Sequence, residues 1–390
     1  MQRRKLVPLI FLLLSSCAAV DQFGERIYDG NKNSQLAQNQ ETLVNIVRAS
    51  RLQPLNFVAI SQVAGGQTEQ LNTGLPTITF GPLQTVAQHQ FQVTNSLQSG
   101  VSGSYQSSPL VSTAFSTGML SPIDLRTLAF LVAAYPREPV FFSTIDSIYV
   151  TRVGTGETIR LVNDPSSDKE SCRSLVNHSQ GRLFSSAQEC NFALFVNLLG
   201  RLSNLGLSAE LVKAAKAEKP AQADKGGSPS KGAKSADSSD KSAGTEGRFC
   251  FDSTRSFGVT FQPRCGDTKK PAKLTTAFAD VGAVELSVIL RSPISVFNYY
   301  GGLLTTQPAL WRDFYFTNQA RNLIGEEPFL NIARDASVPC FAKIDYSGEI
   351  FCAPVASKHT ALLLTLLLHL RNLNIQPSDL NSAFTVRLSG

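Results

Sequence analysis

The sequence predicts an α+β fold, with mixed helices and antiparallel hairpins around one shared core, interrupted by a disordered linker. Three observations carry this. Apolar residues recur at helical spacing in some stretches, as in Phe192, Leu194, Phe195, Leu198, Leu199 and Leu202. Elsewhere short apolar runs face each other across turn residues, as around Gly154-Thr155-Gly156 and Ser347-Gly348. Between them, residues 214–247 are almost all Ala, Lys, Ser, Asp, Gly and Glu, with no aromatic residue, so they have nothing with which to build a core.

The elements follow in order. Residues 17–37 are polar and Asn/Gln-rich and suit a tether. From Glu41 to Arg51, Leu43, Ile46 and Val47 share one helical face, and Pro54 ends the pattern. Residues 55–63 suit a strand. Residues 65–118, rich in Gln, Ser, Thr and Gly, suit a β-hairpin or a long loop. Ser121-Pro122-Ile123-Asp124 has the form of a helix start, with Ser as the cap and Pro at the first helical position, and Pro136 stops that helix. Residues 140–153 are apolar and suit burial, and residues 158–162 can return as a hairpin partner. The helical stretch of residues 183–205 ends near Gly206.

Beyond the linker, residues 249–261 suit a strand, and residues 284–290 a buried strand or the approach to a helix. Ser292-Pro293-Ile294 repeats the Ser-Pro-Ile start. A hairpin follows at residues 341–351. Ser357 then caps a last helix, whose run at residues 362–370 is too short to span a bilayer and so belongs in a core. The ordered stretches, 38–213 and 248–390, are expected as two parts of one globular domain.

Composition narrows the function. Hydrophobic residues are 42% and charged residues 17%, the balance of a chain with a core. Three of the 36 basic residues (Arg3, Arg4, Lys5) lie at the extreme start, leaving 33 against 30 acidic residues. That small excess argues against a nucleic-acid binder, which needs a basic face.

Those three charges precede an apolar run at residues 6–14 and then Leu14-Ser15-Ser16-Cys17. A charged start before a short apolar core is an export signal, far short of the roughly 20 residues of a spanning helix. Small residues just before a cysteine resemble the lipobox of bacterial lipoproteins. The resemblance implies a signal peptide at residues 1–16, cleavage before Cys17, diacylglycerol on its thiol and a fatty acid such as palmitate on the new amine. Several acyl chains together anchor stably where one does not. Ala18, a non-acidic second residue, implies sorting to the outer membrane, on its periplasmic side. Further stretches resemble an uncharacterised family of proteobacterial lipoproteins: Asn45-Ile-Val-Arg-Ala-Ser-Arg-Leu-Gln-Pro-Leu55, the Ser121-Pro-Ile start, Arg291-Ser292-Pro293, and residues 341–373. That family carries no activity to transfer.

Six cysteines remain: Cys172, Cys190, Cys250, Cys265, Cys340 and Cys352. An even number in an oxidising compartment suggests disulfides. Fifteen pairings are open. Closing short loops costs least, which favours Cys172–Cys190, Cys250–Cys265 and Cys340–Cys352; buried free thiols are the alternative. No pair has C-x-x-C spacing.

Catalytic and metal motifs are absent. His89, His178, His359 and His369 are scattered without ligand spacing, and there is no G-x-S-x-G, phosphate loop or H-E-x-x-H. Gly100-Val-Ser-Gly-Ser104 lacks catalytic spacing and suits a loop. Glu326, Glu327 and Asp335 are acids without a motif. Two aromatic groups, Phe297, Tyr299, Tyr300 with Gly301-Gly302 and Trp311, Phe314, Tyr315, Phe316, suit core packing better than an exposed patch. Arg48 and Arg51 suit the charge bias of a helix C-terminus. The expected role is therefore a non-enzymatic scaffold or accessory subunit with protein partners in the envelope and no cofactor or metal. Two alternatives remain: an anchored hydrolase of an envelope polymer, recognisable by a cluster of acid, serine or histidine in a cleft, and a lipid- or small-ligand-binding module, recognisable by an enclosed apolar cavity.

Overall fold

The computed structural model describes residue 28 and residues 31–72, 79–80, 89–90, 96–169, 171–172, 175, 183–213, 245–252, 274–305, 328–334, 337–375, 379 and 384–387. Helices and antiparallel sheets are both present, so the fold is α+β. Inter-residue contacts divide the chain into two compact units. One comprises residues 1–41, 56–116 and 375–390. The other comprises residues 42–55 and 117–374.

The first unit is built on a long hairpin. β1 (Val58–Asn72) pairs antiparallel with β4 (Ser96–Pro109), and the short β2 (Thr79–Phe80) and β3 (His89–Gln90) pair between them in sequence. A final strand, β13 (Phe384–Arg387), pairs with β4 across Ser104 to Ser107. Of residues 65–118, expected as a β-hairpin or a long loop, 65–72 and 96–109 pair as a hairpin, whereas 113–118 are helical. Gly100-Val-Ser-Gly-Ser104, expected as a loop, lies within β4, where the backbone is paired on β1. At the hairpin's base, the Val58 N–H donates to Glu41 Oε1 at 2.7 Å, and Phe57 meets Phe115 edge to face at 5.8 Å.

Helix α1 covers residues 31–50, so its N-terminal part takes in residues expected as tether. Within the second unit its apolar face is as expected: Leu43, Ile46 and Val47 are fully buried. Helix α2 (Thr113–Leu120) is followed by α3 (Leu125–Ala134). The cap of α3 is Asp124, not Ser121: its carboxylate accepts the Thr127 N–H at 2.5 Å, the typical reach from cap to third residue. Ser121 instead closes α2 through its N–H to the Thr117 carbonyl, and Ile123 is tied by its N–H to the Arg291 carbonyl. Pro136 ends α3 as expected and precedes α4 (Arg137–Thr144). The apolar stretch at 140–153 is thus split between α4 and β5 (Ile145–Arg152).

β5 turns at Gly154–Gly156 into β6 (Thr158–Val162). On its other side β5 pairs with β10 (Gly282–Leu290), which pairs with β9 (Leu274–Phe278), giving the antiparallel order β6-β5-β10-β9. The β5–β10 ladder joins chain from before the 214–247 segment to chain from after it. Helix α5 (Asn191–Asn204) packs on β6 and α4, and buries all the leucines of its predicted face. It ends at Gly206, whose φ of +87° suits glycine; a Cβ there would stand 2.1 Å from the Asp252 carbonyl oxygen. β7 (Leu207–Lys213) and β8 (Thr245–Phe251) pair antiparallel beneath α3. Residues 214–244, between these two strands, lie outside the described residues, as do residues 253–261.

Helix α6 (Pro293–Thr305) begins as the sequence suggests, with the Ser295 N–H donating to Ser292 Oγ. Gly301 is required by close packing: a Cβ would sit 2.5 Å from the Ser50 nitrogen at the end of α1. β11 (Cys340–Tyr346) and β12 (Glu349–Pro354) form the expected hairpin, turning at Ser347 and Gly348, both with positive φ. Helix α7 (Lys358–Asn372) starts after Ser357, whose hydroxyl goes to Thr360 Oγ1 rather than to a backbone N–H. Its Leu363, Leu364, Leu366, Leu367 and Leu370 are buried, each contributing about 1.5–3 kcal/mol. Among the described residues no single helix is long and apolar enough to cross a membrane.

Candidate functional site

The second unit contains a buried polar centre that no motif announces. Arg291, at the end of β10, is 6% exposed. Its guanidinium donates to the carbonyls of Phe142 (3.4 Å), Ser143 (3.1 Å), Ile145 (2.8 Å) and Asn163 (2.6 Å). Asn163 adds two more donations, to Phe142 O at 2.7 Å and Ile145 O at 3.0 Å. The Phe142 and Ser143 carbonyls belong to the last turn of α4 and the Ile145 carbonyl to its capping residue, where a helix leaves acceptors without an internal partner, while the Asn163 carbonyl follows β6. A cation there also meets the negative end of the helix dipole. The centre is therefore a C-cap made by residues remote in sequence.

Aromatic residues close it. The Tyr299 ring lies 3.9 Å from the Arg291 guanidinium carbon, and its hydroxyl donates to Asn163 Oδ1 at 2.9 Å. The Tyr300 hydroxyl bonds the Ser143 hydroxyl. Phe142 sits at 4.5 Å, edge to face, on Phe329, which stacks on Tyr300. Burial pulls Arg291 below its ordinary pKa, opposed by the nearby Tyr299 and by Asp146. Burial also pushes the Tyr299 and Tyr300 phenols up, so both stay protonated as donors. Chemically the cluster can hold a helix end and fix a corner of the sheet; its donors are aimed at the chain's own backbone.

Other polar pairs lie on this unit. Arg137 pairs with the fully buried Asp252 at 2.7 Å, and Arg248 pairs with Glu210 across the β7–β8 ladder at 2.5 Å. Tyr135 and His369 meet by hydroxyl and Nδ1 near the surface. Arg51 pairs with Glu349 at 3.0 Å and lies over the rings of Tyr346 and Phe351, while Gln53 accepts from the Tyr346 hydroxyl. Arg51 is thus tied to the β11–β12 hairpin as well as sitting at a helix end. Between Arg51 and Gln53, Leu52 is 96% exposed at φ +56°. It occupies the left-handed position of a Schellman close, with Gln53 N–H on Arg48 O and Leu52 N–H on Ala49 O, where glycine is usual.

No family model, curated protein or solved structure matches this chain.

Cys172 and Cys190 form a disulfide with Cα atoms 5.2 Å apart, and Cys340 and Cys352 another at 5.5 Å. Cys250, on β8, is also disulfide-bonded, and Cys265 lies outside the described residues. Cys17 lies outside them as well, as do His178, Trp311, Phe314, Tyr315, Phe316, Glu326, Glu327 and Asp335. Phe297 and Tyr300 are buried, as core packing requires. His359 is buried on α7, whereas His369 is exposed on the same helix. Among the described residues no group of three His, Cys, Asp or Glu is placed to hold a metal. The sequence reading missed the Arg291 centre. One signal was present: an arginine directly before Ser292-Pro293, at the end of an apolar strand, is a charge where burial is expected and so needs acceptors.

Proposed function

We propose that this chain is an envelope lipoprotein, anchored through lipid on Cys17 to the outer membrane on its periplasmic side. There it serves as a non-enzymatic scaffold or accessory subunit of an envelope assembly. The observation that carries the reading is Leu14-Ser15-Ser16-Cys17, placed directly after a charged start and a short apolar run. The disulfides Cys172–Cys190 and Cys340–Cys352 support it, because such bonds persist in oxidising compartments such as the periplasm. The scaffold role draws support from the Arg291 centre, which directs its donors to α4 carbonyls and so rigidifies the unit rather than presenting reactive groups.

The test is Cys17→Ala in cells fed labelled palmitate. The expected result is loss of label, retention of residues 1–16 and loss of the chain from the outer-membrane fraction. A variant that is still labelled, or still cut before position 17 and membrane-bound, overturns the anchor. In-cell cross-linking with mass spectrometry then addresses the scaffold role: a reproducible envelope protein partner is expected.

A further inference from the structure

The turn that ends α1 holds one leucine out to solvent. Leu52 is 96% exposed at φ +56°. It therefore carries the backbone strain of a position where glycine is usual, and buries almost nothing within the chain in return. Strain that folding does not reward points to a use outside the fold. The residues around Leu52 are fixed in place. Arg51 pairs with Glu349 and lies over Tyr346 and Phe351, and Gln53 accepts from the Tyr346 hydroxyl. Directly before the turn, Gly301 of α6 packs closely on Ala49 and Ser50. The leucine thus stands on a rigid support.

That support is cationic. The exposed Arg334 has its guanidinium 5.9 Å from the centre of the Phe351 ring, and that of Arg51 lies 5.7 Å from the same centre. Arg48, half-buried, lies one turn earlier on α1, and Lys343 is exposed on β11. The acids of this end are engaged: Glu349 with Arg51, and Asp345 with the Gly348 N–H at 3.1 Å. Among the described residues neither Arg48 nor Arg334 has a carboxylate within ion-pair distance. An apolar side chain beside uncompensated guanidiniums complements an anionic bilayer, which offers phosphates to the arginines and the acyl boundary to the leucine.

We propose that Leu52 is the tip of a second, reversible membrane contact. It enters the boundary between headgroups and acyl chains of an anionic bilayer, while Arg48 and Arg334 meet lipid phosphates. The proposal rests on the lipid anchor at Cys17 and adds to it the end of the unit that faces the bilayer. A chain already tethered needs only a weak second contact, because the tether keeps the bilayer at high effective concentration.

The experiment uses the full lipidated chain, reconstituted into vesicles of phosphatidylethanolamine and phosphatidylglycerol that carry nitroxide-labelled lipid. A fluorophore on Pro54→Cys reads the tip, and one on Thr155→Cys reads the exposed turn between β5 and β6. Quenching is expected at position 54 and not at 155. Adding Leu52→Gly should abolish the quenching at 54 while the chain stays on the vesicles with its wild-type circular dichroism. Arg48→Gln and Arg334→Gln should each lower the ratio of docked to undocked tip by about fivefold, and phosphatidylcholine vesicles should lower it as well. A chain retained by the vesicles but unquenched at 54, equal quenching at 54 and 155, or quenching that survives Leu52→Gly overturns the tip and leaves the anchor standing. So does a tip that lipid does not quench but that cross-links to an envelope protein in cells, since a protein is then its occupant. A chain that the vesicles do not retain overturns the anchor, and this contact with it.

Discussion

The two compact units are held by different means. In the second, burial does the work: Ile145, Ile148 and Val150 of β5 and Val284 and Leu286 of β10 are all buried, and remote groups satisfy the polar ends they cover. In the first, a 15-residue and a 14-residue strand, rich in Gln, Ser and Gly, pair along their length. A pattern of polar residues on both strands specifies register weakly, while a buried apolar face specifies it strongly. One chain thus carries a region whose register is selected by its own buried face and a region whose ladder specifies register weakly.

The sharpest way to break this contrast is Arg291→Met. It removes the cap from the α4 carbonyls while keeping most of the apolar stem, and should cost about 1–3 kcal/mol for each carbonyl left without a donor, read by denaturant unfolding. A loss within about 0.5 kcal/mol, the range of an ordinary surface change, would show the centre to be dispensable. Next come the disulfides. Replacing Cys172 and Cys190 together by alanine should cost about 2–4 kcal/mol, and the Cys340/Cys352 pair a few tenths less, because its loop is 12 residues against 18. Non-reducing peptide mapping should return both pairs.

Leu52→Gly works in the opposite direction. Leucine pays a backbone cost at φ +56° and buries almost nothing at 96% exposure, so glycine should stabilise the chain by about 1 kcal/mol, read as a raised melting temperature. An unchanged or lower value would mean that Leu52 makes a contact worth more than the strain. The smallest effect belongs to the segment between β7 and β8. Shortening it to a few residues should leave the melting temperature nearly unchanged, since loop closure changes by only about 0.6 kcal/mol per doubling of length. Protease should cut there first, and the nicked chain should still migrate as one species, because β5 and β10 pair across the cut. Separate fragments under native conditions would contradict that ladder.

Much of the fold was legible because its signals are local. The leucine period of α5 and α7, the stop at Pro136, the Ser347-Gly348 turn and the close-spaced cysteines each depend on residues within a turn or a short loop. The same locality explains the misreadings. Ser121 and Asp124 are both good caps in isolation, and the structure uses Asp124, with the Ile123 N–H spent on the distant Arg291 carbonyl. Gly100–Ser104 has no apolar alternation to mark a strand, and it became one by pairing with β1.

By itself the sequence determined the α+β class, the main helices and the 11-residue reach of the β11–β12 hairpin between its cysteines. Tertiary structure alone decided that β5 pairs with β10 across more than a hundred residues of chain, and that Arg291 belongs to the end of α4. The physical reason is desolvation. A helix period can be read from neighbours in the chain, but which carbonyls lose their water, and which distant guanidinium must replace it, is settled only when the elements are packed together.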